Sequence, residues 1–182
     1  MKKILSIIFI LLICFPTFAI KSDLKSQNGL NVGDRIPKFN LRTEKDILMK
    51  FDEHYKDKVL LLVLCNYCNK DLAGSWTISS FYKFYKNKDF RYVVIFSRRC
   101  VPFYVPDAFI AYSAGQTGRQ VRVPYFLMDW DEEVSEKYKV NLEDPHIYVV
   151  NKKGIIVFKQ TLTTPFVSTD PMNEAIENAL KE

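Results

Sequence analysis

Six consecutive apolar residues, Val59 to Leu64, run straight into Cys65-Asn66-Tyr67-Cys68 and constrain this chain more than any other stretch. A run without polar alternation suits a strand covered on both faces, so the sequence predicts a sheet with helices above and below it. Asn69 and Asp71 follow, with side chains suited to the first turn of a helix. Two thiols therefore fall at a strand-to-helix junction. The unpaired N–H groups and positive dipole end of a helix stabilise a thiolate there, the form of cysteine that attacks disulfides.

The chain has 182 residues, 48% of them apolar and 26% charged, which fits one globular domain with a substantial core. Residues 1–19 read as an export signal: Lys2-Lys3, an apolar run from Ile4 to Phe15, and small residues at Thr17 and Ala19. A retained anchor and lipidation at Cys14 are the alternatives. The run is shorter than the roughly 20 residues that span a bilayer, and Ile13 is bulky where a lipoprotein peptidase prefers a small residue. The expected organisation is a signal over 1–19, a spacer over 20–30 and one domain over 31–182. The expected location is periplasmic or secreted, with no stable membrane insertion after cleavage. Losing Lys2 and Lys3 lowers the net charge from +5 to +3, and no arginine-rich run appears, so nucleic acid is not an expected partner.

Cleavage would leave Cys65, Cys68 and Cys100. An odd count in an exported protein leaves one free or transiently paired thiol, which favours redox chemistry over a static disulfide framework. No second C-x-x-C completes a zinc site, and Asn69 stands where c-type haem attachment needs His, so neither a metal nor a cofactor is expected.

The remaining pattern is regular. Asn31 to Phe51 predicts a hairpin with Ile36, Phe39 and Leu41 on one face. Leu72, Trp76, Ile78, Phe81, Tyr82 and Tyr85 recur at helical intervals. Phe90 to Ser97 predicts a second strand, Pro106 to Gln120 a partial helix, and Val121 to Met128 a third strand interrupted by Pro124. A short helix over Asp129 to Lys139, a hairpin from His146 to Gln160 and a terminal helix with Asp170 as cap and Pro171 behind it complete the order. The predicted class is α/β, a mixed and mostly parallel sheet with helices on both faces and an added N-terminal hairpin.

Val32-Gly33-Asp34, Pro37, Phe39 and Leu41, then Tyr125 to Asp131, Tyr138-Lys139-Val140, Pro145 and Asn151-Lys152-Lys153-Gly154, stand in the order and spacing of the thioredoxin superfamily. The chain resembles its exported TlpA and ResA branch, close to the peroxiredoxins, from about Asn31 to Leu180. The resemblance implies a thioredoxin-like fold and thiol-disulfide exchange with exported proteins that carry thiols or disulfides. It also implies that Cys65 attacks, that Cys68 resolves, and that Pro145 is a cis proline presenting backbone beside them. Leu64 and Asn66-Tyr67 replace the branch's usual Trp before the pair and Pro within it. The pair also follows the strand early, which would move Cys65 into the strand end and give Cys68 the helix start. The YtfJ-like proteins resemble the Cys100 to Gln120 region and lack the cysteine pair, so a binding or accessory protein with structural cysteines is the alternative. Cys100, behind Arg98-Arg99, reads either as a reactive thiol at the same sheet edge or as an inert loop cysteine. A peroxidase reading ranks third, since the Pro-x-x-x-Thr-x-x-Cys context is absent.

Overall fold

A computed structural model describes residues 29–121, 123–164 and 167–182, and the expected export signal lies outside them. The strands are β1 (Asn40–Thr43), β2 (Leu48–Lys50), β3 (Val59–Asn66), β4 (Phe90–Ser97), β5 (Leu127–Asp129), β6 (His146–Val150) and β7 (Ile156–Thr161). The helices are α1 (Phe51–His54), α2 (Lys70–Phe84), α3 (Asp107–Val121), α4 (Glu133–Lys137) and α5 (Asp170–Lys181). One sheet of order β2-β1-β5-β4-β3-β6-β7 contains all seven strands.

β3 is interior, paired in parallel with β4 and antiparallel with β6, and all eight of its residues are buried. Its pleat sends Val59, Leu61, Val63 and Cys65 into the cluster that holds side chains of α2, α3 and α5. Leu60, Leu62 and Leu64 join the opposite cluster, with Phe39, Phe51, Tyr55 and Tyr138. Each such aliphatic burial contributes about 1.5–3 kcal/mol, so the unbroken apolar run stabilises both layers at once.

The sheet is mixed as expected, but it is not mostly parallel. Only β3–β4 and β4–β5 run parallel, while β1–β2, β1–β5, β3–β6 and β6–β7 are antiparallel. Tight turns force the antiparallel sense within the flanking hairpins β1–β2 and β6–β7, and each hairpin also lies antiparallel to its inner neighbour, β1 on β5 and β6 on β3. The third strand is shorter than its apolar run, since β5 starts at Leu127, three residues past Pro124. Asp170 is the first helical residue of α5 rather than its cap, with Pro171 in the first turn, where the missing N–H is no loss. Gly29 and Leu30 already belong to the fold: Gly29 N donates to Lys139 O at 2.9 Å, and Leu30 is buried.

His146 opens β6 as a buried residue, stacked on Tyr148 and with Nδ1 3.3 Å from Thr161 Oγ1. Burial, helped by the charge of Lys159, pushes its pKa down to about 4 from 6.5. The folded protein thus holds this imidazole neutral where the unfolded chain takes up a proton. Stability should be fully present above pH 6.5 and fall by up to about 3 kcal/mol as pH drops towards 4. Urea melts at pH 7 and 4.5 check this: His146→Gln should lose distinctly less stability than the parent across that interval, and an equal loss would contradict the assignment.

Candidate functional site

The carboxyl ends of β3 and β4 carry the candidate site. These strands run parallel with Asn66 opposite Ser97, so the chain leaves both at the same level and their following loops lie side by side. β3 continues two residues past Leu64, which places Cys65 in the strand with its side chain on the α2 and α3 side, 1% exposed. Its thiol is free, and burial pushes its pKa up to about 12. Cys68 lies in the loop two residues before α2 and is exposed. Cys100, third after the end of β4, is exposed as well. Cys68 and Cys100 form a disulfide, with Cα atoms 6.3 Å apart.

Asn66 shapes the loop that carries Cys68. It is buried, and its Oδ1 accepts from Cys68 N at 2.7 Å and from Asn69 N at 3.0 Å. Its Nδ2 donates to Leu142 O at 2.7 Å, and its own N–H donates to Asn69 Oδ1 at 2.9 Å. Asn69 Nδ2 reaches Leu142 O at 3.0 Å and Glu143 O at 3.2 Å. The two asparagines thus replace the turn's missing backbone partners and tie it to the segment before β6. The Cys100 loop is braced by Arg99, whose guanidinium binds both carboxylate oxygens of Glu132 at 3.2 and 2.5 Å and donates to Asn141 O. Arg98 pairs with Asp107 at 2.7 Å.

Three non-glycine residues around the site adopt left-handed backbone: Cys100 (φ 74°), Glu132 (φ 58°) and Leu142 (φ 59°). Such conformations cost of order 1–3 kcal/mol each and persist where surrounding contacts enforce them, commonly at functional sites. The loop that begins with Cys100 then presents Phe103, 92% exposed, and Tyr104, and the start of α3 adds Phe109 and Tyr112 on one face. The Phe103 and Tyr104 rings meet edge to face at 5.8 Å, and contiguous exposed apolar surface marks interaction sites.

The residues nominated from sequence therefore separate. Cys68 bonds to Cys100, 32 positions away, and not to Cys65. Cys100 is not free but bonded to Cys68. Pro145 is buried at the entrance to β6, with its carbonyl accepting from Leu162 N at 2.9 Å. Its expected cis bond is corrected: no cis peptide occurs among the described residues. The loop before Pro145 is already held by the two asparagines, so it reaches the sheet without that isomer. Asn66 and the Arg99–Glu132 pair were not singled out from sequence, although the Asn-x-x-Asn spacing at 66 and 69 is the signature of a side-chain-built turn. Among the described residues no cluster of His, Cys, Asp or Glu could hold a metal ion, and no helix is long and apolar enough to cross a membrane.

Residues 31–176 match the family model described as Redoxin. No curated protein matches the chain in sequence. Among solved structures, an uncharacterized conserved protein from Geobacillus kaustophilus superposes with a TM-score of 0.67 at 16% identity, covering 85% of this chain and 84% of that one. A secreted disulfide oxidoreductase from Mycobacterium tuberculosis superposes at 0.57 and 15% identity, covering 77% and 95%. A thiol-disulfide oxidoreductase from Bacteroides fragilis gives 0.56 and 16%, covering 78% and 98%. At these identities the likeness shows the thioredoxin-like fold.

Proposed function

Because the chain belongs to the Redoxin family, we propose that it is an exported thiol-disulfide oxidoreductase whose working couple is Cys68 and Cys100. The observation that carries this reading is the exposed disulfide at the start of α2, on the carboxyl edge of the sheet. In the reduced protein the unpaired N–H groups of that helix favour a thiolate at Cys68. Cys68 Sγ attacks one sulfur of a client disulfide, forming a mixed disulfide and releasing the client's other sulfur as a thiolate. Cys100 then gives up its proton and attacks Cys68 Sγ, which expels the second client thiolate and restores Cys68–Cys100. The client gains two electrons and this protein loses them; run backwards, the same steps oxidise a client dithiol.

In this reading Cys65 and Pro145 belong to the scaffold under the couple and take no part in the exchange. Cys65 packs the strand end under the turn, and its thiol, held near 12, stays protonated at neutral pH. Pro145 closes the entrance to β6 beside it, since Leu64 pairs with His146 in the register. Export is supported by Lys2-Lys3 and the apolar run from Ile4 to Phe15. The clients would be exported proteins with thiols or disulfides, and the Phe103, Tyr104, Phe109 and Tyr112 surface beside Cys100 supports a polypeptide client.

A second reading keeps the disulfide as a structural tie in an accessory protein, and the bracing of the Cys100 loop by Arg99 favours it. A glutathione titration separates the two: a structural tie stays oxidised below about −300 mV, whereas a working couple titrates above that. Reduction of insulin is the companion assay. The double variant Phe103→Ser, Tyr104→Ser should slow insulin reduction about tenfold and leave reduction of a small aromatic disulfide unchanged. Equal slowing of both would remove the polypeptide surface from the account.

A further inference from the structure

Between the sheet, α2 and α3 lies a cavity of about 200 Å³, open to solvent on one side, whose wall includes Val63, Cys65, Ala73, Phe96, Ala114 and Phe126. Gly74 of α2 also lines it, and a Cβ built there meets nothing within 4 Å. Glycine inside a helix costs about 0.5–1 kcal/mol relative to alanine, so this position leaves the space open against the helix's own preference. The polar groups around the wall are already engaged. Thr117 Oγ1 donates to Ser113 O at 3.2 Å, Ser75 Oγ to Leu72 O at 2.9 Å, and the Tyr92 hydroxyl lies 2.7 Å from Thr77 Oγ1. At the rim Lys70 Nζ donates to Tyr67 O at 3.3 Å and faces the Asp71 carboxylate at 3.6 Å, so the two charges offset each other. The Cys65 thiol alone has no hydrogen-bond partner among the described residues.

An apolar cavity of about 150 Å³ takes up benzene, so this larger, mainly apolar one has room for a single ring with a short alkyl arm. We propose that the cavity is a binding site for a small, uncharged, apolar molecule of the size of an alkylbenzene, seated between α2 and α3 against the Cys65 thiol. Charge is excluded because the wall leaves no unpaired charge to meet it, and burying an unpaired ion there is strongly unfavourable. This site is independent of the exchange chemistry, since no electron or proton moves on binding.

The test uses the oxidised full chain, with isobutylbenzene as probe and phenylacetate as its charged counterpart. Isobutylbenzene should raise the melting temperature saturably and give nuclear Overhauser contacts to the Ala73 and Ala114 methyls, while phenylacetate should do neither. Gly74→Leu, which fills the space from α2, and Ala114→Leu, which fills it from α3, should each weaken binding at least tenfold. Absence of a saturable shift or of those contacts in the wild type overturns the proposal, as does undiminished binding in a folded filling variant. If both variants fail to fold, the wild-type contacts decide it. The readout is binding alone, so failure here and failure of the exchange reading are distinguishable.

Discussion

Cys68→Ser should reduce insulin disulfides no faster than free buffer thiol, a loss of at least a hundredfold, while Cys65→Ala should retain the wild-type rate within a few fold. The difference follows from where the two sulfurs sit. Cys68 is exposed in the loop two residues before α2, and in the proposed mechanism the helix's unpaired N–H groups favour its thiolate. Cys65 is buried on the α2 and α3 side of the sheet, and burial pushes its pKa up to about 12, which leaves almost no thiolate at neutral pH. Cys65→Ala removes only a buried sulfur and should cost about 1–2 kcal/mol of stability. The rate is read by insulin turbidity with the variants at equal concentration. A large loss in Cys65→Ala, with Cys68→Ser active, would reverse the roles assigned here.

Cys100→Ser should lower the stability of the oxidised protein by about 3–4 kcal/mol, the loop-closure contribution expected for a crosslink between positions 32 apart. Reducing the wild type should lower it by a similar amount, and reduction should then leave Cys100→Ser unaffected. Such a loss is a large share of the 5–15 kcal/mol that holds an ordinary domain together. Urea midpoints with and without dithiothreitol measure it. A Cys100→Ser protein that still responds to reductant would mean that Cys65 and Cys68 form the disulfide in its absence.

The fold was legible where burial leaves one reading. Val59 to Leu64 has no polar residue, so only an interior strand suits it, and β3 is that strand. The helix after the cysteines was legible from Leu72 to Tyr85, but its buried face was not: Trp76 and Phe81 are buried with Ala73, Thr77, Ser80 and Phe84, whereas Tyr82 and Tyr85 are exposed. The sense of the sheet was less so: sequence marks strands, but parallel or antiparallel pairing depends on which neighbour each finds, as β1 does on β5.

At the site the deciding quantity was two further residues of strand. A strand ending at Leu64 frees Cys65, whereas one ending at Asn66 turns Cys65 into the core and Asn66 to the other face. The early position of the pair pointed that way, and the family pattern pointed the other. The partner of Cys68 was harder, since Cys100 comes beside it only through the parallel register of β3 and β4. Asn66 and Asn69 could be read as turn formers, yet their hold on Leu142 is a tertiary contact that local spacing does not encode.

Differential alkylation across a glutathione redox titration, read by peptide mass mapping, tests the central claim most directly. The account predicts that Cys68 and Cys100 change from alkylatable to protected together as one two-electron couple, with a Cys68–Cys100 peptide recovered from the oxidised protein. Cys65 should remain reduced at every potential and become alkylated only after denaturation. A Cys65–Cys68 peptide in the oxidised native protein, with Cys100 free throughout, would contradict it.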